Sequence, residues 1–102
     1  MINISKNDLR IIKNILKTHI PGCEVRVFGS RYIGNAREYS DIDIVVVGKS
    51  KLGLTALSDL KESFAESDLP FRVDILDWHA VTQEFRNVIE KSGYKVIQTG
   101  IY

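Results

Sequence analysis

Two aspartates stand two positions apart where a strongly apolar stretch of the chain begins. Asp41 precedes, and Asp43 lies within, the β-branched run Ile42–Val47. Such a run is typical of a central β-strand, and the two-residue period of a strand points both carboxylates to the same face. Carboxylates this close repel each other, whereas a hard divalent ion that prefers oxygen ligands, above all Mg²⁺, lets both stay ionised. The pair therefore indicates a metal site.

A third carboxylate, Asp74, interrupts a later apolar stretch between Val73 and Ile75. An acidic side chain within an apolar strand costs free energy unless it is paired or coordinated. If this strand lies beside the first, three carboxylates can hold two metal ions, one activating an acceptor hydroxyl and one neutralising a triphosphate and its leaving pyrophosphate. The predicted catalytic and metal-binding residues are Asp41, Asp43 and Asp74.

The pair Gly29-Ser30 closes another predicted strand, ahead of the aspartates. Glycine lets a phosphate approach the backbone, a helix beginning there would aim free N–H groups at it, and Ser30 adds a hydroxyl donor. Arg31 could place a positive charge near the same phosphates, and an exposed structural role is an equal alternative for it. The predicted nucleotide-binding residues are Gly29, Ser30 and Arg31.

A structural interpretation of the same residues is the alternative. It places Asp41 in a turn, leaves Asp43 solvated, and pairs Asp74 with Arg72 or Arg26 across the sheet. It requires three carboxylates and a Gly-Ser loop to arise by separate coincidences, so the metal site is favoured.

The order of these motifs resembles the signature of the DNA polymerase beta-like nucleotidyltransferase superfamily, specifically its minimal nucleotidyltransferase group. That signature is Gly-Ser, ten residues and then Asp-x-Asp at a strand start, and residues 31–40 supply the ten. Residues 71–77 resemble the strand that carries the family's third carboxylate. The resemblance implies a nucleotidyltransferase (polymerase beta palm-like) fold with a small mixed β-sheet. It also implies that Gly29 and Ser30 bind phosphate, while the aspartates bind Mg²⁺.

The resemblance further implies an activity and a protein partner. Many minimal nucleotidyltransferases are antitoxins to a helical partner of the HEPN type, some by transferring AMP to a tyrosine hydroxyl of that partner. We expect such an enzyme here, with ATP as donor, because 102 residues leave no room for a separate acceptor-binding domain. We expect the partner to supply the acceptor hydroxyl.

The competing hypothesis is a non-catalytic nucleotide-binding module that neutralises or regulates its partner by direct contact. Family members often read Gly-Ser-Arg-Ala-Arg-Gly, whereas Tyr32 and Ile33 stand between Arg31 and Gly34 in this chain. The loss of the second basic residue mildly favours the module. The complete set of three aspartates favours the enzyme.

Bulk properties narrow the possible partners. Fourteen basic and thirteen acidic residues give a net charge of +1, which disfavours a long nucleic acid as substrate. No apolar stretch approaches the roughly 18 to 20 residues of a membrane span, and the single Cys23 fits a reducing compartment, so we expect a cytoplasmic protein.

Hydrophobic periodicity predicts one α/β domain over residues 1–102, in which helices flank a small β-sheet. The predicted strands are residues 24–28, 42–47, 71–77 and 94–98. The predicted helices begin near Ser5, Leu54 and Val81. We expect Asp77 to cap the last helix and Gly93 to end it in a left-handed conformation. Val45 and Val47 share the face of the first two aspartates, and we expect this face to leave an apolar patch uncovered.

Overall fold

The computed structural model describes residues 2–37 and 40–100 of the chain. Its helices are α1 (Lys6–His19), α2 (Ser30–Ile33), α3 (Leu54–Ala65) and α4 (Gln83–Ser92). Its strands are β1 (Glu24–Phe28), β2 (Ile42–Val47), β3 (Val73–Asp77) and β4 (Lys95–Gln98). The predicted α/β class is confirmed. Within the described ranges, no helix has the length and apolar character that crossing a membrane requires.

The strands form one mixed sheet in the order β3-β2-β1-β4. β1 is antiparallel to both β2 and β4, whereas β2 and β3 are parallel. A parallel pair needs a crossover connection, and α3 provides it between β2 and β3. β3 therefore lies at one edge of the sheet, directly beside the strand that carries Asp43.

Helices α1 and α3 cover one face of the sheet and form the core with it. The core residues from the helices include Ile12, Leu16, Leu60 and Phe64. The core residues from the strands include Val25, Val27, Ile42, Ile44, Val46 and Ile75. Because these alternate along β2, the intervening Asp43 and Val45 point to the opposite face.

The helix caps agree with the sequence at the start of the chain but not near its end. Ser5 caps α1, its hydroxyl accepting a hydrogen bond from the amide of Asp8 at 3.1 Å. The expected cap of α4 by Asp77 is wrong, because the hydroxyl of Thr82 accepts the amide of Phe85 instead. Asp77 is buried and accepts hydrogen bonds from the amides of Leu52 and His79.

Two further expectations near α4 need correction. Gly93 has a positive φ of 93° but a ψ of 163°, so the residue after α4 is not in the left-handed helical conformation. The sheet face that carries Asp43 and Val45 was expected to be uncovered, but Val45 is fully buried. Phe85 of α4 meets Phe28 of β1 edge to face, with ring centroids 6.1 Å apart, and Val88 is 53% exposed. Two of the exposed apolar residues, Phe85 and Val88, thus lie on α4 itself.

Ile44→Ala tests whether the β2 core holds the fold together. Ile44 is fully buried beside Asp43, so we expect a loss of about 2–5 kcal/mol in the free energy of unfolding, measured by urea denaturation. Val88→Ala removes methyl groups from an exposed position and serves as the control, with a change within about 0.5 kcal/mol. Equal losses in the two variants would contradict the assigned core.

Candidate active site

Asp43 and Asp74 are brought together by the pairing of β2 with β3. They are Cα partners in the parallel register, and the amide of Ile42 donates to the carbonyl of Arg72 at 3.0 Å just before them. Partners in a parallel pair project to the same side of the sheet. Residues separated by 31 positions in the sequence are therefore neighbours at the same end of the sheet.

The three predicted carboxylates interact electrostatically. Burial raises the pKa of Asp43, and the negative charges of Asp74 and then Asp41 raise it further. Each of these causes makes the ionised form of Asp43 less favourable. A divalent cation between the carboxylates would reverse the effect, because it stabilises the same ionised oxygens. The donor set of carboxylate oxygens fits Mg²⁺.

Asp41 forms an ion pair outside the carboxylate set. Its Oδ2 atom accepts a hydrogen bond from the guanidinium of Arg72 at 3.3 Å, and the two side chains are 40% and 85% exposed. An ion pair this exposed contributes little free energy. Among the described residues, no three His, Cys, Asp or Glu side chains stand close enough to hold one ion together. Coordination by all three aspartates therefore requires their side chains to move closer together, and Asp41 can do so by leaving Arg72.

Gly29 brings the backbone against Asp43. It has a φ of 74°, and a Cβ atom at this position would overlap Oδ2 of Asp43. Both the conformation and the close approach exclude a larger residue. Gly29 is also the N-cap of α2, so Ser30 begins that helix directly beside the carboxylates. The predicted phosphate-binding pair thus lies next to the predicted metal ligands.

The exposed structural role considered for Arg31 is wrong, because the residue is buried, and its phosphate contact stays a prediction. Its side chain is only 5% exposed, and its guanidinium donates to the carbonyls of Ser40, at 2.6 and 3.2 Å, and Asn3, at 3.1 Å. The same group lies 4.4 Å from the ring centroid of Phe71. These contacts tie the segment before Asp41 to the N-terminus. We therefore assign Arg31 to holding the site together.

The structure does not support the alternative in which Asp74 pairs with Arg72 or Arg26. Arg72 contacts Asp41, while Arg26 pairs with Glu24 and lies over the rings of Trp78 and Tyr94. Neither arginine forms an ion pair with Asp74 in the part of the chain that the structure describes. Sequence reasoning did not identify the Arg72–Asp41 contact, although it named Arg72 as a possible partner of a different carboxylate.

Comparison with known proteins agrees with this geometry. Residues 10–100 match the model of the family described as polymerase beta, nucleotidyltransferase. The chain belongs to this family. The resemblance inferred from the Gly-Ser and Asp-x-Asp motifs is confirmed, and the motifs lie inside the matched range.

Individual members of the nucleotidyltransferase family are also similar to the chain. The "Probable protein adenylyltransferase MntA" of Haemophilus influenzae is 44% identical over 97 residues, which cover 95% of this chain and 84% of that protein. A crystal structure of a toxin-antitoxin with AMP-PNP superposes with a TM-score of 0.74 at 26% identity, covering 91% of this chain and 73% of the other.

A further structure supports the fold alone. This structure is described as a tri-AMPylated Shewanella oneidensis HEPN toxin in complex with MNT antitoxin. The match has a TM-score of 0.69 at 24% identity and covers 96% of this chain and 74% of the matched chain. The mixed four-stranded sheet with its helices is therefore shared with solved nucleotidyltransferase structures.

Gly29→Ala tests the contact between the loop and Asp43. The new methyl group meets Asp43 and is held at a positive φ, so we expect lower stability and weaker binding of Mg²⁺-ATP, measured by calorimetry. Gly34→Ala is the matched control, because Gly34 also has a positive φ, of 96°, but a Cβ there meets no atom within 4 Å. We expect it to lower stability only. Equal loss of nucleotide affinity in both variants would show that the contact with Asp43 is unimportant.

Proposed function

We propose that this chain is a Mg²⁺-dependent nucleotidyltransferase that moves AMP from ATP to a hydroxyl on a HEPN-type protein partner, and thereby acts as its antitoxin. The observation that carries the proposal is the placement of Asp43 beside Asp74 with the backbone of Gly29 against Asp43. This arrangement supports a role for Gly29 in binding phosphate and for Asp43 and Asp74 in binding a cation.

The relatives support the same assignment of reaction and partner. The Haemophilus influenzae relative is named as a protein adenylyltransferase, and the similar solved structures are toxin-antitoxin complexes, one of them with AMP-PNP. The similarity covers 84% of the Haemophilus influenzae protein and 73% of the matched chain in the AMP-PNP structure.

In this proposal one group of residues binds the triphosphate and another binds the cation. Gly29 and Ser30, at the end of β1, hold the triphosphate through the backbone and the Ser30 hydroxyl. Asp41, Asp43 and Asp74 would hold Mg²⁺, which when bound neutralises the triphosphate charge and makes the acceptor hydroxyl more acidic. Asp74 lies on the edge strand, on the far side of β2 from Gly29, and this position supports a role beside the acceptor hydroxyl.

The reaction is a displacement at the α-phosphorus. The acceptor oxygen forms a new bond to phosphorus as the bond to pyrophosphate breaks, and the hydroxyl proton passes to a carboxylate oxygen of Asp74. The products are an AMP-modified hydroxyl and pyrophosphate. Gly29 and Asp43 fix the donor, and the approach of the acceptor is set by whatever the partner contacts near β3.

Transfer of label from ATP to the partner tests the proposal. With Mg²⁺ and labelled ATP, we expect the wild-type chain to label the HEPN-type protein. The double variant Asp41→Asn with Asp43→Asn removes two metal ligands and should reduce transfer by more than about 100-fold. Asp68→Asn makes the same chemical change at an exposed position outside the site and should transfer like the wild type.

The competing binding module predicts a different result. In that case none of the four nucleoside triphosphates gives a labelled partner, and the double variant binds the partner as tightly as the wild type does. These two results together would reject the enzyme hypothesis and support the non-catalytic binding module.

A further inference from the structure

A cavity of about 570 Å³ lies between the end of α3 and the start of β3. Six of the eight residues that line it are apolar, among them Phe64, Leu69, Pro70 and Phe71, while polar and apolar atoms contribute about equally to its surface. The charged side chains that line it are Lys61 and Arg72, and no carboxylate does so among the described residues. A cavity that combines apolar side chains with two cationic ones complements a ligand that carries both an apolar group and a negative charge.

The position of the cavity connects it to the carboxylate site. Val73 lines the cavity and pairs with Ile42, and the next residue, Asp74, pairs with Asp43. β3 is an edge strand, so no further strand separates this region from an approaching protein. Gly29, in contrast, lies on the other side of β2. The cavity therefore lies at the same edge of the sheet as Asp74, but on the α3 face, whereas Asp74 projects to the opposite face.

Arg72 contributes to both the cavity and the carboxylate site. It lines the cavity, and its guanidinium donates to Asp41 at 3.3 Å while its side chain is 85% exposed. A carboxylate that binds at the cavity rim competes with Asp41 for this guanidinium. Such competition would release Asp41 for the cation.

We propose that this cavity is the docking site for an acidic segment of the protein partner that presents the acceptor hydroxyl. An apolar side chain of the segment enters the cavity, and a neighbouring carboxylate pairs with Lys61 and Arg72. Because β3 is the edge strand, the segment can continue from the cavity around this edge to the face that carries Asp74. The inference rests on the proposed transfer to a protein partner and adds where that partner binds.

Two substitutions at exposed residues test the docking site without disturbing the core. Lys61→Glu reverses the charge at the rim, and Ala65→Trp fills the cavity from an exposed position. We expect each to weaken binding of the HEPN-type protein at least tenfold by calorimetry. In the transfer assay we expect each to raise the KM for the partner while leaving the KM for ATP unchanged. Thermal unfolding confirms that both variants fold.

Two controls localise the effect. Lys13→Glu makes the same charge reversal on α1, away from the cavity, and should bind the partner like the wild type. Val88→Glu disrupts the exposed apolar surface of α4, and its affinity should also be unchanged. Unchanged affinity in both cavity variants, or a loss confined to Val88→Glu, would overturn the proposal. So would cavity variants that alter only self-association, since the cavity would then be a contact between copies of this chain.

The two assays separate this inference from the proposed function. If the wild type labels no partner but the cavity variants still bind it at least tenfold more weakly, the transfer reaction fails and the docking site stands. If transfer occurs and the cavity variants bind and react like the wild type, the reaction stands and the docking site fails.

Discussion

Repulsion between neighbouring carboxylates is the constraint around which this small domain is organised. Asp43 and Asp74 are direct partners on parallel strands, and the pKa of Asp43 is raised by burial and by its acidic neighbours. The strands hold them together because their other faces are buried. Ile42, Ile44 and Ile75 each contribute about 1.5–3 kcal/mol by leaving water, which offsets the unfavourable arrangement of charge.

The backbone around this pair is fixed by a glycine and a buried arginine. Gly29 leaves space for Oδ2 of Asp43, and Arg31 binds the carbonyls of Ser40 and Asn3. Asp41 follows Ser40 directly, so the arginine controls the entry of the chain into β2. The site thus has a closely packed half, in which Gly29 lies against Asp43, and a more exposed half, in which Asp41 pairs with Arg72. This division suits an enzyme whose second substrate is itself a protein.

Local sequence patterns predicted most of the helices and strands, and they identified the three aspartates of the proposed site. The β-branched run of β2 and the Ser5 cap are local signals, and the structure has both. The parallel pairing of β2 with β3 depends on contacts between residues distant in sequence. The hydrophobic pattern of each strand does not show which strands pair, so the sequence analysis could only assume that these two lie side by side. The spacing of the motif could not show where Arg31 points, because its partners lie 9 and 28 residues away. The cap of α4 was misassigned because Asp77 and Thr82 are both good capping residues, and the amides of Leu52 and His79 compete for Asp77.

The most direct test of the carboxylate site is the thermal stability of the wild type and of Asp43→Asn, with and without Mg²⁺. The folded-state pKa of Asp43 is raised, so the folded protein binds that proton more tightly and its metal-free stability falls as pH rises through that pKa. At neutral pH without metal, we predict that Asp43→Asn melts higher than the wild type by a few degrees. Mg²⁺ should raise the Tm of the wild type and leave the variant nearly unchanged. A metal-free variant less stable than the wild type, with the same Mg²⁺ response in both proteins, would contradict a cation site at these aspartates.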